Sequence, residues 1–160
     1  MKKLYIDKTE NTGCFSVFVK DAEVNWAGAA IYSMPIKHKN SEYQGYATDY
    51  DIHFIFDDNI PSLDFYTIPL IDIFAVDGEG GYLGSLGEGI DLEGNAPICY
   101  IDKDCNCFLI AKNGKEFLNN AASWKAHMIP YTDVEFFTSK EEAMKKYDFI
   151  DNETLNKMLT

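Results

Sequence analysis

The chain has 160 residues, 46% hydrophobic and 14% aromatic, enough to bury a core in one domain and too apolar for a disordered or fibrous chain. Its 26 acidic against 14 basic residues leave a formal charge of -12, and every basic residue is lysine. Bidentate recognition of phosphate uses the arginine fork, so direct nucleic-acid binding is not expected; an acidic surface favours a basic partner instead, through steering and charge complementarity.

The opening MKKLYIDKTENTG has too short an apolar run before Asp7 for a signal-peptide core. No later stretch approaches the roughly 18 to 20 apolar residues that cross a bilayer, so a cytoplasmic protein without membrane contact is expected. Residues 3–6 and 14–20 read as strands around the turn signal Asn11-Thr12-Gly13, with Phe15, Val17 and Val19 on one face, which predicts an N-terminal hairpin. Residues 22–34 fit either period: Val24, Trp26, Ala30 and Tyr32 suit a strand, whereas Trp26, Ala29, Ala30 and Ser33 suit a helix that Gly28 disfavours. Residues 38–46, HKNSEYQGY, are polar and read as an exposed loop, the best candidate linker. DIHFIF at 51–56 alternates, placing Ile52, Phe54 and Phe56 on one face and His53 on the other, and Asp57-Asp58-Asn59 ahead of Pro61 is a turn.

The most informative stretch is 71–86, IDIFAVDGEGGYLGSL, two apolar runs around Gly78, Gly80 and Gly81. Glycine reaches positive φ without a Cβ clash, so a buried hairpin is the economical reading. After an acidic loop over 88–95, the segments PICYID, KDCN, CFLIAKN and GKEFLNN read as strand, turn, strand and helix start. Asn113 caps that helix with Glu116 at its third position, and Phe117, Leu118, Ala121, Ala122 and Trp124 share a face. Ser139 with Glu142 repeats the capping signature, Glu141 with Lys145 and Glu142 with Lys146 form i,i+4 pairs, and Asp151 caps a last turn carrying Leu155, Met158 and Leu159. The whole reads as one α+β domain over 1–160: a mostly antiparallel twisted sheet with a few flanking helices, N-terminal strands of open topology in 1–45, a core over 47–125 and a helical segment over 138–160.

The order of elements from about 68 to 122 resembles the second half of the SUKH superfamily. A hydrophobic strand leads into a D-G-x-G-type turn and an aromatic strand (residues 74–82), then a proline-led strand ends in Asp (97–102), then an IA…EFL strand-to-helix junction follows (110–118). The resemblance implies an α+β domain that acts by binding. In this group such domains serve as immunity proteins against toxins exchanged between bacteria, or, in eukaryotic relatives, as regulatory or scaffold modules. The two amphipathic helices and L-P-x-x-Y-like segment usual at the family's front have no clear copy in residues 1–45.

Signatures of chemistry fail one by one. Asp102-x-Asp104-x-Asn106 opens like an EF-hand loop, but Cys107 stands where glycine is needed and Asn113 where glutamate is needed. Counting from Gly78, the dinucleotide pattern meets Leu83; no Gly-Lys-Ser/Thr triplet exists, and Ser85 lacks the glycine of a nucleophile elbow. Cys14, Cys99, Cys105 and Cys107 lack the paired spacing of a structural zinc site and read as reduced thiols. His38, His53 and His127 show no spacing that would pair them with a nucleophile. Carboxylates two apart, Asp77 with Glu79, Asp91 with Glu93 and Asp102 with Asp104, leave a small hydrolase working through a carboxylate pair as an alternative.

No catalytic residue, cofactor or metal is therefore expected. The expectation is a non-enzymatic immunity protein that neutralises a bacterial toxin, a nuclease being the class with a suitably positive site, through an acidic surface; the alternatives are a regulatory or scaffold module and the hydrolase. Candidate contacts with a basic protein partner are Asp77, Glu79 and Tyr82 of the glycine turn and Glu88, Asp91 and Glu93 of the following loop. The ten tyrosines fit that reading, since aromatic anchors commonly dominate interfaces.

Overall fold

The computed structural model describes residues 2–9, 17–86 and 95–159. Its centre is the expected meander. Strands β6 (Ile71–Val76), β7 (Tyr82–Leu86), β8 (Ile98–Ile101) and β9 (Cys107–Ala111) pair antiparallel in sequence order, because each is an apolar run ended by a turn its own residues can make. The elements before them are β1 (Lys2–Asp7), β2 (Ala22–Ala27), β3 (Ala29–Ile31), α1 (Ser41–Tyr50), β4 (His53–Phe54) and β5 (Tyr66–Ile68). Those after are α2 (Gly114–Asn119), a 3-10 segment Ala121–Ala126, β10 (Ile129–Pro130), β11 (Glu135–Phe137), α3 (Lys140–Lys146) and α4 (Asn152–Leu159). The meander extends through β10 on β9 and through β3 and β4 on β6 into a seven-stranded sheet. With β3 parallel to β6 the sheet is mixed, and the fold is a single-domain α+β fold.

One face of the sheet buries Phe54, Phe74, Leu83, Ile98, Tyr100 and Ile110 beneath Phe117 of α2 and Trp124. Phe117, 1% exposed, meets Phe74 edge to face at 5.7 Å, and burial of such a side chain is worth about 1.5 to 3 kcal/mol. The opposite face buries Ile71, Ile73, Cys99, Ile101 and Cys107 under Phe65 and Val134. Residues 98–101 thus alternate between two cores, as a strand's period requires. A third cluster, Tyr5, Ala27, Tyr66, Ile68 and Ala143, joins the N-terminal strands to α3.

Three sequence expectations are corrected. The N-terminal hairpin is absent from the described residues: β1 pairs parallel with β2, from Lys2 opposite Ala22 to Asp7 opposite Ala27. Cys14, Phe15 and the turn signal lie outside the described residues, residues 17–20 carry no strand, and Phe18 is 84% exposed. A parallel pair is joined by a crossover and not by a tight turn, so β1 and β2 are not a hairpin. Residues 38–46 are no linker: they close a 3-10 turn and open α1, whose Asn40 side chain accepts from the Glu42 and Tyr43 amides at 3.0 and 3.3 Å. Tyr43, Tyr46 and Tyr50 recur with helical period and pack on the Phe54 core. On α3, Lys145 takes Glu142 and Lys146 reaches Glu135 of β11, whose carboxylate also accepts from the Tyr147 hydroxyl, so the expected i,i+4 pairs do not form.

The ambiguous segment 22–34 is extended, in two strands broken at Gly28. There φ is +113°, and a Cβ would strike Thr9 and the Tyr66 ring, so glycine lets the chain leave β1 and join β6. The caps at Asn113, Ser139 and Asp151 all form, each side chain accepting an amide of the first turn.

Candidate functional site

The meander brings the turn 77–81 and the turn 102–106 to one end of the sheet, side by side: a Cβ on Gly80 would lie 3.8 Å from that of Lys103. The C-terminus of α1 arrives at the same end, since β4 runs antiparallel to β6 with His53 opposite Val76. Five carboxylates converge there, on Asp51, Asp77, Glu79, Asp102 and Asp104.

They are not equivalent. Asp77 is 7% exposed. Its Oδ1 accepts from the Glu79 and Gly81 amides at 3.0 and 2.7 Å, and its Oδ2 accepts from the Tyr100 hydroxyl at 2.5 Å. Burial, and then the Asp77 carboxylate, push the Tyr100 phenol well above its ordinary range, so it stays a donor. Glycine is required at 81 because a Cβ there would land inside the Tyr100 ring and hydroxyl. Asp77 therefore builds the turn from within and is not a surface contact, which corrects its assignment as one.

Asp51 performs the matching task from outside the turn. It closes α1 in the left-handed region at φ 57°, where its Oδ1 accepts the Gly78 amide at 2.9 Å and pairs with His53 Nε2 at 2.9 Å. Its Oδ2 takes Lys125 Nζ at 2.8 Å, and that ion pair holds the carboxyl below its usual range. Trp124 lies beside this group and donates its indole N–H to the Tyr50 carbonyl at 2.7 Å, capping an open acceptor at the end of α1. Asp102 likewise folds onto its own turn, accepting from the Asp104 and Asn106 amides, both at 2.9 Å. Burial works to raise its pKa, and those amides overcome it, leaving the carboxyl low.

With these acids committed inward, Glu79 and Asp104 are the exposed carboxylates of the two turns. Tyr82 starts β7 half-buried, its ring edge-on to Phe65 at 5.5 Å. Burial raises its phenol pKa, and the nearby carboxylate of exposed Asp64 adds to this. Of the sequence candidates, then, Glu79 and Tyr82 lie at this end as accessible or half-accessible groups. Glu88, Asp91 and Glu93 lie outside the described residues. Leu86 and Pro97, which flank them and are joined by a 2.9 Å backbone hydrogen bond, mark the opposite end of the meander.

Sequence reasoning missed Asp51, Lys125 and Trp124, and it missed a groove of about 710 Å³ between α1 and β4 lined by Tyr43, Phe54, Phe56, Lys39, Asp58 and His53. The tyrosine spacing of 43, 46 and 50 was the available signal for α1, and hence for the groove's wall. Among the described residues His53 bonds to Asp51 and to no hydroxyl or thiol, and no group of three or more His, Cys, Asp or Glu side chains could hold a metal ion. No helix among them is long and apolar enough to cross a membrane.

No family model, curated protein or solved structure matches this chain.

Proposed function

We propose that this chain is a non-enzymatic binding protein of SUKH type, an immunity protein whose acidic surface covers the basic site of a bacterial toxin, with a nuclease as the best-fitting toxin class. The observation that carries the reading is the division of labour at the acidic end of the sheet. Asp51, Asp77 and Asp102 spend their oxygens bracing two turns, and the turns leave Glu79 and Asp104 exposed, with half-buried Tyr82 following at the start of β7. Turns braced in this way lose little entropy on docking, and exposed carboxylates suit lysine and arginine side chains. Inward hydrogen bonding also argues against the carboxylate-pair hydrolase. A catalytic pair needs both carboxyls open to one substrate, whereas Asp77 beside Glu79 and Asp102 beside Asp104 each accept hydrogen bonds on both oxygens.

Capture with the tagged protein in lysate of its native cell, followed by mass spectrometry, tests the proposal. A basic protein encoded beside this chain and inhibited by it is the expected result. Retention of an uncharged or acidic partner, unaffected in its activity, would overturn the immunity reading in favour of a regulatory module.

A further inference from the structure

Two thiols sit in a relation that neither the fold nor the binding surface requires. Cys99 of β8 and Cys107 of β9 face the same core from neighbouring antiparallel strands, and they are 0% and 6% exposed. In register, Cys99 lies opposite Leu109 and Cys107 opposite Ile101, so the two cysteines are diagonal neighbours across the ladder. Their sulfurs are in hydrogen-bonding contact. Cys105, two residues away in the turn at φ 62°, is half-buried.

We propose that Cys99 and Cys107 form a redox-convertible pair that closes to a cross-strand disulfide under the acidic turn 102–106. The bond between the two sulfurs, and then burial, raises the Cys99 thiol, and the same bond lowers that of Cys107. Cys107 is 6% exposed and Cys99 0%, so Cys107 is the sulfur an oxidant reaches first; it is the attacking sulfur and Cys99 the resolving one. With hydrogen peroxide as oxidant, the Cys107 thiolate takes one oxygen, expelling hydroxide and becoming a sulfenic acid. The Cys99 sulfur then attacks that sulfenic sulfur, the S–O bond breaks, and water leaves with the Cys99 proton. Two thiols lose two electrons, and one peroxide is reduced to two waters.

The geometry also sets how the bond behaves. Diagonal Cα atoms in an antiparallel ladder are about 7 to 8 Å apart, whereas disulfides span about 4.4 to 6.8 Å. Closure therefore draws β8 and β9 together by about an ångström, and the irregular register between Ile98 and Cys99 is where the ladder can yield. A bond formed under such strain is readily reduced, so the step is reversible by ordinary thiols. Because Asp102 and Cys107 bound the turn, closure shifts the turn that presents Asp104.

Peroxide treatment of the reduced full-length protein, alkylation of the remaining thiols and intact mass measurement test this. The expected product has lost two hydrogens, keeps two alkylatable thiols and returns to the reduced mass with dithiothreitol. Tandem mass spectrometry of the linked wild-type peptides places the bridge on Cys107 and not Cys105, so the assignment needs no variant that might misfold. Cys105→Ser retains the mass loss; Cys99→Ser and Cys107→Ser abolish it. An unchanged mass, addition of oxygen without a bridge, or a bridge through Cys105 or Cys14 would overturn the proposal. None of these results bears on capture of a basic partner.

Discussion

Asp72 lies on the central strand β6, 3% exposed, and among the described residues its Oδ2 has no hydrogen-bond partner. Burial lifts its pKa from 3.8 to about 6, with the Lys8 charge pulling the other way. The folded state thus holds this proton more tightly than the unfolded chain does. No penalty exists below pH 3.8; it grows as pH rises through about 6 and is constant above. Two pKa units correspond to about 3 kcal/mol. Asp72→Asn is expected to match the wild type in urea unfolding near pH 4 and to exceed it by about 2 to 3 kcal/mol at pH 8; equal stability at both pH values would show that the carboxyl is solvated. Gly81 is the second decisive residue. Gly81→Ala forces a methyl into the Tyr100 phenol and disturbs its bond to Asp77. We expect a loss of about 1 to 3 kcal/mol in thermal or urea unfolding, whereas Gly45→Ala, whose Cβ meets nothing within 4 Å, is expected to be neutral or stabilising.

Among the elements, α1 depends most on one side chain. Asn40 caps two amides, and the helix it starts supplies Tyr43, Tyr46 and Tyr50 to the main core. Asn40→Ala is expected to cost about 1 kcal/mol and to raise amide exchange in residues 41–44 ahead of the sheet; uniform protection in that turn would count against a local effect. Elements set by neighbours in sequence were readable beforehand. The 71–86 hairpin, the turn at 57–59 and the caps at Asn113, Ser139 and Asp151 follow from glycine, aspartate and asparagine chemistry within a few residues. Strand β4 was legible from DIHFIF: Ile52, Phe54 and Phe56 enter one core and His53 stays exposed. What misled was polarity read without period. HKNSEYQGY resembles a loop by composition, yet its tyrosines carry a helical stripe.

For the molecule as a whole, the proposed function gives the formal charge of -12 its role in steering a basic partner. Reversing both exposed turn acids, Glu79→Lys with Asp104→Lys, replaces two negative charges at the end of the sheet with two positive ones. The double variant is expected to bind the captured basic partner with an on-rate reduced about tenfold or more at low salt, the difference shrinking toward high salt as screening sets in. Stopped-flow association at two ionic strengths measures this, and identical rates at low salt would remove this end of the sheet from the interface. Charge, the meander and the helix starts at Asn113, Ser139 and Asp151, though not that at Asn40, were present in the chain as read, because composition and near-neighbour conformational preferences need no knowledge of what packs where. The parallel pairing of β1 with β2 and the choice of which carboxylates face inward arose only on folding. Tyr100 stands 23 positions from Asp77, and Gly78 stands 27 from Asp51. Whether a carboxylate builds a turn or meets a partner depends on such distant donors, and no spacing rule along the chain contains them.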